Sequence, residues 1–505
     1  MLDSGLYHLI PPDETDGPAM EAYNRGVHAY ECADVEEAIR EFTKALSLAP
    51  GAWPIRNNLG LALVQAGHPE EGIEQLRVAV RQSDGEAHTL RNLGAALWVT
   101  GRHDEAIEPL ERAVESSDDP GECWFLVARA KSNAGDAEGA IDAMRRAVQC
   151  EPDMGAAHDN LGVVLHQAGL VEEALEAYTV SMELDPEHPL PHYNMATALA
   201  ALDRFEEAAE ALARHIRLDP EHSCPHWELG RALSYLERYE EALGAFETYV
   251  DMEPEDARGV CSVGIEMLNL DRLSEASDWL NRARALDPDY PWVWSGLARL
   301  AESTGKLEEA LRAIERAVEL LPENSDFRWR RFVLLAKCGR VDEAIILAQQ
   351  ESDEDIGSAL FEVQSALRDL GQRDDAVRVA RMLVDREPEQ VWAWGTYGQT
   401  LFDSDQCEAA VRAFEQVLKL DPDDAPAWFY SSVCHAELNA PSDALRCADR
   451  TLALDLSNVT AMEIRLWALE CLDRREDAKQ QAAAILEYDP DNEFVREWNE
   501  RDRTR

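Results

Sequence analysis

Five asparagines lie on a 34-residue ruler: Asn24, Asn58, Asn92, Asn160 and Asn194, with Leu126 standing where a sixth would fall. A side-chain amide carries both a donor and an acceptor, so a row of them can pair with an extended polypeptide backbone irrespective of its sequence. A second set is cationic: Arg91, Arg129, Arg231, Arg299, Arg330 and Arg368. A guanidinium presents a planar fork of donors that matches a carboxylate. Both sets hold molecules; neither breaks a bond. No Gly-rich phosphate loop, nucleophile elbow or His-Glu-x-x-His motif accompanies them. The 99 acidic residues supply carboxylate pairs everywhere, and such pairs say nothing without a pocket. No catalytic residue and no cofactor is assigned.

Histidines offer one further constellation. His188 and His192 recur one period later as His222 and His226, in EHPLPHY and EHSCPHW. Four-residue spacing suits a metal on one helix face. Pro189, Pro191 and Pro225 argue against a continuous helix through both pairs, and identical spacing is what a repeat produces anyway. Junction packing is the expected role, with no metal site.

The elements that position these side chains follow from the period. Ala38, Phe42, Ala45 and Pro50 form a pattern that returns as Ala174, Tyr178 and Pro186, then as Ala310, Ile314, Ala317 and Pro322, and again as Ala410, Phe414 and Pro422. A period in this range marks a stacked helical repeat. Counting back from the closing Pro, units start near 19, 53, 87, 121, 155, 189, 223, 257, 291 and 325, then, after a shortened unit, near 357, 391, 425 and 459. Each of these about fourteen units reads as two helices joined by a turn. Gly67, Gly101, Gly135, Gly169, Gly305, Gly339 and Gly371 mark many of the turns, and Asp203 and Glu237 replace Gly in two others. The second helix opens on acids, as in EEAIREF and EEALEAY, where exposed amides favour them. Small residues such as Gly60, Gly94, Gly162, Gly72 and Ala106 should let helices approach closely. The tenth unit is short around QQESDEDIGSAL, and the thirteenth has Leu456 where Pro is usual.

This pattern resembles the tetratricopeptide repeat family. The resemblance rests on Trp124, Trp294, Trp394 and Trp428 at the fourth position, Gly or Ala at the eighth, Ala at the twentieth, Phe or Tyr at the twenty-fourth and Pro at the thirty-second. It implies an all-α, right-handed superhelical solenoid whose first helices line a concave groove. The fourth-position Trp residues are expected in the core. The organisation is then a short extension over 1–18, six Asn-lined repeats over 19–222, repeats seven to fourteen lined by Arg and aromatics over 223–490 with the short repeat near 325–356, and a capping helix over 491–505. The groove asparagines are similar to those of the tetratricopeptide array of the O-linked N-acetylglucosamine transferase, whose catalytic domain has no counterpart in this sequence. Of the carboxylate-clamp pattern of some family members, Asn58 and Asn92 match only the shared Asn, so a chaperone-tail clamp is not expected.

If the fourth, seventh, eighth and eleventh positions of the first helix point inward, the second, fifth, sixth, ninth, twelfth and thirteenth face the groove. The asparagines occupy the sixth. Two roles stay open for them: pairing with a bound backbone, or bonding between neighbouring helices. The arginines likewise either meet an acidic ligand or answer Asp159, Glu228, Glu302 or Glu362.

Charge narrows the partners. With 99 acidic against 48 basic side chains the net charge is -51, which disfavours nucleic acid and anionic membranes. It keeps an elongated array soluble, and suits either a basic partner or a saline habitat. No signal-like N-terminus and no membrane-length apolar run is present, and the 10 Cys form no Cys-x-x-Cys pair, so a reducing cytoplasm is expected. The reading is a non-enzymatic scaffold or adaptor for one or more proteins or extended peptides. A regulatory or substrate-recruiting subunit of an enzyme complex and a self-assembling structural protein are the alternatives.

Overall fold

The structure is a computed structural model, and it describes residues 17–350 and 356–504. Among these residues the chain forms 29 helices and no strand. Helices alternate in pairs, such as Trp53–Gln65 with Pro69–Gln82 and Ala87–Val99 with His103–Ser116, and each first helix starts within about a residue of its expected position. Helix starts are capped in the expected chemistry where a short polar residue is present. The Asp34 carboxylate accepts from the Glu37 amide at 3.1 Å, and the Asn324 side chain accepts from the Phe327 amide at 2.9 Å.

The turns between paired helices reverse through one left-handed residue. Gly67 and Gly135 have φ of 84° and 87°, and Asp203, Glu237 and Ala33 adopt the same region at 56°, 57° and 61°. Glycine enters that region without penalty, whereas a side chain costs about 1 kcal/mol or more. Paired helices then close tightly. A Cβ on Gly94 would lie 2.3 Å from Leu110 Cγ, and one on Gly162 would lie 2.4 Å from the Tyr178 ring. Gly72, where other repeats have Ala, is needed because a Cβ there would sit 2.6 Å from the Gly60 carbonyl oxygen.

Two compact units divide the chain, one ending at Pro254 and one beginning at Glu255. In the first, a continuous core runs from Leu61 through Leu97, Met144 and Tyr178 to Leu212. Its first helices also pack side by side: Trp53–Gln65 contacts Ala87–Val99, which contacts Gly121–Asn133. In the second, cores centre on Phe332 and Leu383, on Phe414, and on Leu466 with Trp498. The short repeat shows as a second helix of 8 residues, Val341–Ala348, followed by a first helix from Ile356; the acid run at 351–355 lies outside the described residues. The expected terminal helix is Glu493–Thr504, which buries Val495 and Trp498.

One expectation needs correcting. The fourth position is not a fully buried wedge: Trp294 and Trp394 pack against the core, yet they and Trp428 are only partly buried. Their indole N–H groups donate to the Pro288, Pro388 and Pro422 carbonyls at 2.8–2.9 Å. His158, Arg56 and Arg328 make the same bond to Pro152, Pro50 and Pro322. An N–H of the right reach is the shared requirement, so Trp, His and Arg interchange there. The buried positions are instead the third, as at Ile55, Val293 and Ala393, and the tenth, as at Ala62, Ala96 and Ala468.

Candidate functional site

The asparagine series resolves into a rule about neighbouring helices. Asn58 has no exposed surface; its amide nitrogen lies 3.3 Å from the Tyr23 hydroxyl, one repeat earlier. Asn57 donates to Asn58 Oδ1 at 3.0 Å, and Asn92, also without exposed surface, donates to Asn57 Oδ1 at 3.3 Å. Asn194 donates to Asp159 Oδ1 at 2.9 Å. In each case a sixth-position Asn bonds the polar fifth-position residue of the preceding repeat. Asn24 has no repeat described before it and is exposed. Asn160 follows Phe125, which cannot accept, and its amide turns back to the Ala156 carbonyl at 2.8 Å on its own helix. Asn58 and Asn92 therefore present nothing to a ligand in this conformation. The signal was in the sequence: Tyr23, Asn57 and Asp159 stand one repeat before their partners.

Where the rule lapses, a hollow opens. Leu126 replaces the sixth-position Asn, so Arg91 has no amide to meet. Arg91 is 5% exposed and pairs through Nη2 with Glu122 at 2.7 Å; its Nε and Nη1 are buried with no hydrogen-bond partner. A cavity of about 630 Å³ lies beside it, lined by Arg91, Glu122, Phe125, Leu126, Arg129, Met154, Asp159, Asn160, His188 and Leu190, among others. The Arg129 guanidinium lies 4.0 Å over the Trp98 ring, a cation–π contact that holds its plane. Burial raises the Asp159 carboxyl above its ordinary range, against the Asn194 bond, which lowers it. Three of the expected residues, Arg91, Arg129 and Asn160, thus share one hollow, and Asn194 braces its wall through Asp159.

The remaining arginines are dispersed. Arg231 is exposed, pairs with Glu228 on its own helix at 3.0 Å and stacks on Trp227. In the second unit, Arg299 donates to Asn269 Oδ1 at 2.7 Å, and Asn269 donates to the buried Glu266 at 3.1 Å. Arg330 and Lys337 both contact Glu302, the latter at 2.7 Å. Burial pushes the Glu302 carboxyl up, but these two cations outweigh it and hold it below its ordinary value. Arg368 is exposed and makes no ion pair among the described residues.

Comparison with known proteins agrees with this architecture. The tetratricopeptide repeat matches residues 23–87, 57–120, 126–189, 228–291 and 396–455, with further matches over 165–223 and 265–423. The chain belongs to the tetratricopeptide repeat family, and that class is in general a protein-interaction scaffold. Protein FlbA of Caulobacter vibrioides is 29% identical over 162 residues, 30% of this chain and 26% of that protein. The human Protein O-mannosyl-transferase TMTC1 is 26% identical over 161 residues, 31% of this chain and 18% of that protein. The matches thus span about a quarter or less of these relatives' length. A solved tetratricopeptide repeat protein from Parabacteroides merdae is 19% identical, covering 48% of this chain and 98% of its own, with a TM-score of 0.43. Among the described residues no helix is long and apolar enough to cross a membrane.

Proposed function

We propose that the chain is a non-enzymatic adaptor that holds an extended segment of a partner protein in the hollow between the third and sixth repeats. The carrying observation is the lapse in the asparagine rule. At Asn58, Asn92 and Asn194 fifth- and sixth-position polar groups are spent on each other, while here Arg91 keeps two unbonded donors beside a cavity of about 630 Å³. Phe125, Leu126 and Leu190 offer an apolar wall for one side chain of the segment. Asn160, whose Oδ1 is not used in its bond to Ala156, offers an acceptor to a backbone amide. Mixed apolar and polar lining of this kind suits a short peptide better than a nucleic acid, which the net charge of -51 repels. Ten cysteines, all unpaired, suit a reducing compartment such as the cytoplasm.

The test is selection of peptides from a displayed library on the whole chain, followed by affinity measurement on Phe125→Ala and Asn160→Ala variants. Selected peptides should lose at least about tenfold in affinity for each variant, the 1.4 kcal/mol scale of one lost contact. Equal binding to the variants, or selection of nothing, would overturn the assignment of this hollow.

A further inference from the structure

In the sixth repeat a histidine occupies a buried place that six other repeats give to alanine. The twenty-seventh position reads Ala45, Ala79, Ala113, Ala147, Ala283 and Ala317 in other repeats, but His215 here. The imidazole is wholly buried. Its Nδ1 lies 2.8 Å from the Pro189 carbonyl oxygen. A carbonyl only accepts, so Nδ1 carries the hydrogen and Nε2 carries the lone pair. That lone pair faces His222 Nδ1 at 3.0 Å. Asp219 completes the group: one donor atom from each of His215, Asp219 and His222 lies within 4.8 Å of the others. The Tyr193 ring stands 5.8 Å from both imidazoles and walls the cluster.

We infer that His215 Nε2, His222 Nδ1 and an Asp219 oxygen form a binding site for one divalent transition-metal ion of the zinc type. Two imidazoles and one carboxylate are an ordinary donor set for such an ion, with a fourth position left to water. The Pro189 carbonyl supplies the outer hydrogen bond that metal-binding histidines usually make, fixing tautomer and ring orientation in advance. Nitrogens bound to zinc at about 2.0–2.1 Å in tetrahedral geometry lie about 3.3 Å apart. The two nitrogens stand at 3.0 Å, so His222, half-buried on the loop before Cys224–Tyr235, must move slightly outward and turn so that both lone pairs meet off the line joining them. Without metal, the hydrogen on His222 Nδ1 bridges the two rings; to bind, neutral His222 carries its hydrogen on Nε2 instead, with no net proton released. The ion would staple the end of helix Phe205–Leu218 to the start of the seventh repeat.

The test is calorimetric titration of the chelator-stripped whole chain with Zn²⁺ in excess Mg²⁺, which occupies the exposed carboxylates. Wild type should bind one ion, and Co²⁺ should give visible bands of low-symmetry coordination. His215→Ala introduces the residue that six other repeats carry and should keep the fold, checked by circular dichroism, while abolishing the site. His222→Ala, on the loop, should weaken binding at least about tenfold, and so should Asp219→Asn. His188→Ala is the control, because it occupies the equivalent loop position one repeat earlier. If wild type binds Zn²⁺ no more tightly than His215→Ala or His222→Ala, or if His188→Ala loses as much as they do, the site does not exist. If His215→Ala fails to fold, His222→Ala alone decides.

Discussion

Successive first helices are tied by polar bonds in both units, but the ties differ in charge. In the first unit one run is neutral and buried: Tyr23, Asn58, Asn57 and Asn92 form one chain of amide and hydroxyl groups, followed by the ionic pair of Arg91 with Glu122. In the second, one tie is ionic and partly exposed, Glu302 holding Arg330 and Lys337, whose side chains are 41% and 29% exposed, while Gln364 to Thr400 at 2.8 Å is again neutral and buried. Repeat geometry thus prescribes where a tie is made and leaves its chemistry free. A buried tie must be neutral or fully paired, because an unpaired charge cannot leave water. A half-exposed tie can be charged, since solvent satisfies what the partner does not.

The largest expected effect comes from cutting the neutral chain. Asn58→Ala strands the Asn57 amide, which has no exposed surface, and should cost about 1–3 kcal/mol. Hydrogen exchange should show the loss concentrated in the first three repeats, and the penalty should not change with salt. Loss of a bound peptide without loss of protection there would show that Asn58 serves a ligand after all.

Acid should separate the two units in sign. Glu302 has a depressed carboxyl, so its contribution is present above the ordinary carboxylate range and lost as pH falls through the folded value. Asp159 is raised, so its contribution is present below that range and lost as pH rises through the folded value. Glu302→Gln should therefore flatten the acid-side fall in thermal midpoint, whereas Asp159→Asn should raise the midpoint at neutral pH relative to acid. Shifts of the same sign in both variants would break the comparison. Salt should shrink the Glu302→Gln penalty, because screening acts on charges.

The smallest effects distinguish paired from unpaired arginines. Arg330→Ala should cost no more than about 1 kcal/mol, as for other half-exposed pairs. Arg368→Ala should lie within about 0.5 kcal/mol of wild type. A large stability loss for Arg368→Ala would reveal a contact that the described residues do not contain.

Much of the architecture was legible because a repeat states it many times. Turn glycines, acidic helix starts and small crossing residues recur at one register, so a single misleading residue such as Ala33 or Leu456 does not hide the pattern. The candidate site was legible only in part. Arg91, Arg129 and Asn160 were expected on one face and do share a hollow, while for Asn58 and Asn92 a bound backbone and a neighbouring helix both stood open. Their partners were visible one repeat upstream, but a residue at the fifth position becomes an acceptor only if the two helices lie side by side. The fourth position failed for a related reason: Trp was read as apolar bulk, while its N–H to a Pro carbonyl explains why His and Arg stand in for it.

Sequence by itself determined the helix pairs, their register and the composition of each face, since these follow from local periodicity, capping and the cost of left-handed turns. Tertiary structure decided which polar groups are left over. A hydrogen bond between repeats depends on two side chains about 35 residues apart arriving within about 3 Å, which periodicity permits but does not guarantee. His215 and His222 stand only seven residues apart, yet it is the packing of the helix end and the following loop that brings their rings face to face.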